Sequence, residues 1–187
     1  MNSTIRRGNK ATQKGNSDLR VRYTKAVLSR DVPIPIRNIG SNLTETLEKT
    51  IASSIEGKCI ADGYVKSETT KLVTHSSGSI QGNLVRFQVA FECEVCYPVY
   101  GMKVVCVAKN ITKAGIRAES SMKPNPLVIF IARDHHNKMP YFSQVKEGDN
   151  IEVKIIGQRF ELNDKYISII AELVDPNKKE KKIVIEK

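Results

Sequence analysis

Cys93 and Cys96 form a Cys-x-x-Cys pair, a spacing at which two thiolates grip a zinc ion. A structural zinc wants four ligands, and the remaining candidates, Cys59, Cys106, His75, His135 and His136, offer no second pair at zinc spacing apart from the adjacent histidines. Positions 93 and 96 of a regular strand also point to opposite faces, so one strand presents both to a metal only through a bulge. The four thiols read as core or surface groups, and no metal or other cofactor is expected. Catalysis has as little support. The three histidines lie in polar, turn-like context, and there is no Gly-rich phosphate loop, nucleophile elbow or recognisable carboxylate pair. The strongest chemical signal is electrostatic: Lys103, Lys109, Lys113, Arg117 and Lys123 face only Glu119 within 21 residues of chain. A positive groove with a planar side chain can hold a phosphate backbone and stack a base, each stack being worth ~1–3 kcal/mol. Planar candidates are Phe130, His135, His136 and Tyr141. A merely solvated face is the other reading of the cluster, and Phe130, between Ile129 and Ile131, suits burial as well as contact.

The whole chain of 187 residues carries a formal +10 and is 40% hydrophobic, enough to bury a core. Such a balance points to a polyanionic partner, nucleic acid or an acidic membrane surface. Residues 1–20 hold +4 and residues 178–187 hold +3, which leaves only +3 for the rest and excludes a uniformly basic, histone-like protein. Four cysteines are too few for a disulfide scaffold and suit reduced thiols in an intracellular protein. No apolar run approaches the ~20 residues of a transmembrane helix, and none of signal-peptide length stands at the N-terminus.

The elements that must position these groups are legible from periodicity. Residues 1–20 are expected to be a disordered basic tail. A strand begins within residues 21–30, and the Pro33 and Pro35 that follow suit a sheet edge or an extended connection better than a central strand. Leu43, Leu47, Ile51 and Ile55 recur at i+4, with Asn42 and Glu45 as a variant capping box and Gly57 as the stop, and so predict a helix packed on a sheet. Residues 75–82 read as a turn or loop. From Val85 to Tyr97 every odd position is Val, Phe, Cys or Tyr, a half-buried strand. At ~3.3 Å per residue it runs roughly 40 Å, long enough to bend or to pass between sheets. Pro98 ends it. Five short strands follow, Met102–Asn110, Gly115–Glu119, Leu127–Ala132, Asn150–Gly157 and Lys165–Glu172, the count of a small closed barrel. The fold class expected is therefore α+β, a helix on an antiparallel sheet, followed by an all-β five-stranded barrel. Residues 176–187 are a charged tail in which Ile183, Val184 and Ile185 could add a strand.

The segment from Gly101 to Ile131 resembles the opening of an S1 domain, the RNA-binding variant of the oligonucleotide-binding (OB) barrel. It has alternating Val105 and Val107, a Gly115 turn into an apolar second strand, and a third strand ending at Arg133. Glu147 to Val153 matches the Gly-Asp turn into the fourth strand, and Tyr166 to Ile170 matches the fifth. Upstream lie a capped helix ending in Glu56, Gly57 and Lys58, then Asp62 to Val65, then the long strand running into Tyr97 to Gly101. With these, residues 22–173 resemble the larger stalk subunit of archaeal and eukaryotic multisubunit RNA polymerases. The basic-Gly-acidic triplet usual in that family is Tyr100, Gly101 and Met102 here, and the aromatic residue of the second barrel strand is replaced by Ile116 or Arg117. The connection over residues 134–148 is short. These departures suit a divergent member, such as one encoded by a large DNA virus.

The resemblance implies a truncated ribonucleoprotein-like domain over residues 21–97 that docks on the polymerase core, and an S1 domain over residues 98–175 that binds emerging RNA. It places Pro33, Ile34, Pro35, Gly63 and Tyr64 near the docking tip. RNA contact falls to Lys103, Lys109, Lys113, Arg117, Phe130, Arg133 and His135. Partners would be the other polymerase subunits, including a smaller stalk subunit, and RNA, but no membrane. The location would be the nucleus in a cell, or the virion or cytoplasmic factory of a virus. A free-standing S1 protein of translation or RNA decay is the alternative, and a scaffold whose barrel has lost RNA binding is a third.

Overall fold

The computed structural model describes residues 20–137 and 139–176. The tails expected over residues 1–20 and 176–187 lie almost wholly outside them, as does the strand considered at residues 183–185. One long strand organises the first half. β6 (Leu84–Cys96) pairs antiparallel along one edge with every residue of β1 (Thr24–Pro35). Its other edge is shared by three short strands, β3 (Gly63–Val65), β4 (Lys71–His75) and β5 (Ser79–Gln81), while β2 (Cys59–Ile60) pairs with β3. β1 is an outer strand, as Pro33 and Pro35 require. β5 lies inside the segment read as a loop. Its three residues are all exposed, so no burial pattern marked it as a strand.

The alternation of β6 carries the core. Val85, Phe87, Val89, Phe91, Cys93 and Val95 are buried, and the helix α1 (Leu43–Ile55) lays Leu47, Ile51 and Ile55 against them, with Leu43 partly buried. Each such side chain contributes about 2 kcal/mol of burial. The pattern stops one residue early, since β6 ends at Cys96 and Tyr97 is exposed. The strand also stays within one sheet instead of passing to another. Asn42 occupies the cap position without a side-chain cap bond. Its Oδ1 accepts from the Ser41 hydroxyl at 3.3 Å, and Glu45 pairs with Lys49 at 2.6 Å, so the capping box does not form.

The far end of α1 is held differently. The Glu56 carboxylate accepts the backbone N–H groups of Glu68, Thr69 and Thr70 at 2.9, 3.2 and 3.0 Å. Burial pushes this carboxyl up, but the backbone donors outweigh it and hold the group below its ordinary 4.5. A lowered carboxyl stabilises the fold fully above the unfolded value and loses that contribution as pH falls through the folded one. Glu56→Gln is therefore expected to cost roughly 1–2 kcal/mol at pH 7, allowing for solvent screening. Thermal melts of the two proteins should converge as pH is lowered below about 4.5.

The second half closes on itself. β7 (Lys103–Ile111), β8 (Gly115–Ser120), β9 (Leu127–Ala132), β10 (Asn150–Arg159) and β11 (Ile167–Leu173) form a barrel in the order β10-β11-β9-β8-β7, parallel only between β11 and β9. Its core includes Ile116, Ile129, Ile131, Ile151, Ile155, Ile167 and Ile169. Cys59, Tyr64 and Cys96 from the first sheet belong to this same cluster, whereas Cys93 belongs to the other. Backbone bonds join the halves too: Cys59 N–H donates to the Asp164 carbonyl at 2.7 Å, and Asn163 N–H to the Cys59 carbonyl at 2.8 Å. The architecture is that of a helix-covered antiparallel sheet followed by an OB-type barrel.

Candidate nucleic-acid interface

Strand register decides which barrel side chains meet on the outside. Arg117 on β8 lies opposite Asn110 on β7 and Phe130 on β9, Phe130 lies beside Ile170 on β11, and Ile170 opposite Gly157 on β10. Phe130 is 39% exposed while Ile129 and Ile131 on either side are fully buried, so its ring faces outward beside the Arg117 cation. The ambiguity left by its apolar neighbours is thereby resolved. Lys109 sits at the β7 bulge, 3.9 Å from Glu119, an exposed pair of little strength that leaves the cation available to a stronger anion. Lys113 is exposed in the β7–β8 turn, and Lys103 begins β7 opposite Lys154 of β10. His135 is exposed.

Two aromatic or basic candidates are engaged elsewhere. The Arg133 guanidinium donates to the carbonyls of Lys113 (2.9 Å) and Thr112 (3.3 Å) and lies over the Phe142 ring, so it clamps the turn carrying Lys113. His136 is buried, not in a polar turn. Leu173 N–H can only donate, so Nε2 of His136 accepts it at 2.8 Å, and Nδ1 carries the proton given to the Ala132 carbonyl at 2.7 Å. The ring stacks on Phe142 at 5.1 Å and is closed to a base. Sequence reading missed Ile170, Gly157 and Arg159, which come from β10 and β11 and join the surface only when the barrel closes.

The five docking candidates do not form one patch. Pro33, Ile34 and Pro35 pair with Arg86, Val85 and Leu84 at one end of β6, whereas Tyr64 pairs with Cys96 at the other, roughly 40 Å away along the strand. Ile34 is buried under the helix and Tyr64 within the barrel-side cluster. Gly63 has a structural duty: at φ +116° a Cβ would stand 2.5 Å from the Cys96 carbonyl oxygen. The first end exposes the apolar Ile80, Ile36 and Leu84 beside Arg37, Asn83 and Arg86, with a groove lined by Pro35, Ile36, Arg37, Asn83 and Leu84.

Among the described residues no three His, Cys, Asp or Glu side chains gather as metal ligands, and no helix is long and apolar enough to cross a membrane. All four cysteines are buried, and burial pushes Cys59 and Cys93 up to about 11 and Cys96 and Cys106 to about 12. Thiols so placed are scarcely ionised at neutral pH. A native thiol titration is expected to show no fast-reacting group among the four, and denaturant to release all of them.

No protein-family model matches the chain. It is similar to a DNA-directed RNA polymerase subunit of Acanthamoeba polyphaga mimivirus, 24% identical over 76% of each chain. It is also similar to DNA-directed RNA polymerase II subunit 7 of Arabidopsis thaliana, 27% identical over 71% of this chain and 82% of the relative. Subunit RPB7 of the same enzyme from Glycine max is 24% identical over 74% of this chain and 85% of its own. These matches bear out the resemblance read from the sequence.

Proposed function

We propose that this chain, a divergent relative of DNA-directed RNA polymerase subunits, is a non-catalytic stalk subunit that docks on a polymerase core and binds nascent RNA through its barrel. The observation that carries the reading is the extent of the similarity, about three-quarters of the chain, with relatives named as polymerase subunits. Residues 21–97 act as the docking domain and residues 98–175 as the S1 domain. The apolar end of the first sheet, around Pro33, Pro35 and Ile36, meets the core, and a smaller stalk subunit completes the pair. The site of action is the nucleus in a cell, or the virion or cytoplasmic factory of a virus.

RNA is held through its backbone by Lys103, Lys109, Lys113 and Arg117, with His135 beside them and Phe130 as the stacking ring. Such capture is largely sequence-tolerant and falls with salt. Native purification of a tagged chain should recover the other polymerase subunits; recovery as a lone monomer would overturn the reading. Combined replacement of Lys109, Lys113 and Arg117 with alanine should flatten the salt dependence of RNA affinity by about two in log–log slope. An unchanged slope would leave a docking scaffold without RNA contact.

A further inference from the structure

We propose that the RNA path crosses the parallel seam between β9 and β11: one base stacks on Phe130, the next lies on Ile170 over the bare backbone of Gly157, and Arg159 meets the phosphate beyond. This rests on the reading that the barrel binds RNA, and it extends that site to strands outside the basic cluster. Three observations carry it. Ile170 is the single apolar side chain on the outward face of β11, between Ser168 and Glu172, yet it is 49% exposed and in register with Phe130. Gly157, opposite Ile170, has no side chain, and a Cβ there would meet only the Ile170 Cβ, at 4.0 Å, so the floor beside Ile170 is open. Cations stand at both ends: Arg117 beside Phe130, and Arg159 opposite Ser168 in the adjoining row.

From β8 to β10 there are three interstrand steps, about 14 Å across the strands, an apolar trough with positive ends. That chemistry suits unpaired bases with their phosphates, because a duplex keeps its base faces stacked away from the protein. Arg159 pairs with Glu161 at 3.1 Å, but both groups are highly exposed and the pair yields readily to a phosphate.

The test uses the full chain and a labelled twelve-nucleotide oligouridylate, with Phe130→Ala and the Lys109, Lys113, Arg117 triple variant as references. Ile170→Asp should weaken binding about tenfold or more, Ile170→Ala and Gly157→Leu severalfold, and Arg159→Ala should lower the salt slope by about 0.7. An RNA duplex should be bound equally by the native chain and Ile170→Asp. The Ile170 and Arg159 side chains are exposed and the space over Gly157 is open, so melting temperatures should hold, and Ile170→Ala decides the matter if the aspartate variant fails to fold. Loss of affinity in the reference variants, with native affinity in the Ile170 and Gly157 variants, would end the path at β9 and overturn this proposal alone. Native affinity in every variant would overturn the RNA reading itself. Loss of polymerase co-purification in Ile170→Asp with RNA binding intact would make the trough a protein contact, and also overturn the proposal.

Discussion

Phe130→Ala is expected to weaken the binding of single-stranded RNA by roughly 5- to 150-fold, the equivalent of one lost base stack of ~1–3 kcal/mol. The ring is exposed on the outside of β9 and its neighbours in the strand supply the barrel core, so the loss should appear in affinity and not in stability. Fluorescence anisotropy with a labelled oligouridylate reads the first, and a thermal melt the second. Phe130→Trp should match or exceed the native affinity, because it keeps a planar face at the same place. Unchanged affinity in the alanine variant would remove stacking from the mechanism and leave charge alone.

The largest loss of stability near the interface is expected from His136→Phe. A phenyl ring preserves the stack on Phe142, but the Leu173 N–H then loses its acceptor in a buried site, and the Ala132 carbonyl keeps only the turn of the 3-10 helix Arg133–His136 that it caps. The orphaned N–H costs ~1–3 kcal/mol, and that loss should appear in chemical denaturation. Against a typical domain stability of ~5–15 kcal/mol, that is a large fraction. Amide exchange at Leu173 should accelerate first. Since Phe142 also carries Arg133, which holds the Lys113 turn, the affinity for RNA should fall as well. A variant as stable as the native chain would show that the two bonds contribute nothing net.

How much of this was readable beforehand follows from the range of the interactions involved. The strand Leu127–Ala132 was placed to the residue, and β6 to within one residue at its core end, because period-two burial is written locally. The burial of Cys93 and Cys96 in different clusters follows from the same pleat. The row from Arg117 to Gly157 was not readable, since it depends on a parallel pairing between β9 and β11 that brings together residues 40 positions apart. His136 was misjudged for a related reason: its polar neighbours suggested a turn, and only the closing of the barrel brings Leu173 N–H to its ring. Asn42 and Glu45 have the right spacing for a reciprocal cap, but Ser41 and Lys49 offer competing partners.

Seen as a mechanical object, β6 is a girder. One end carries the exposed apolar groups around Pro35, and the other runs into the barrel interior through Cys96, with Cys59 and Asp164 lashing the joint on its flank. Residues 97–102 lead from it into β7. Under the proposed function, a pull on RNA held by the barrel is carried to the apolar tip along this strand, about 40 Å long.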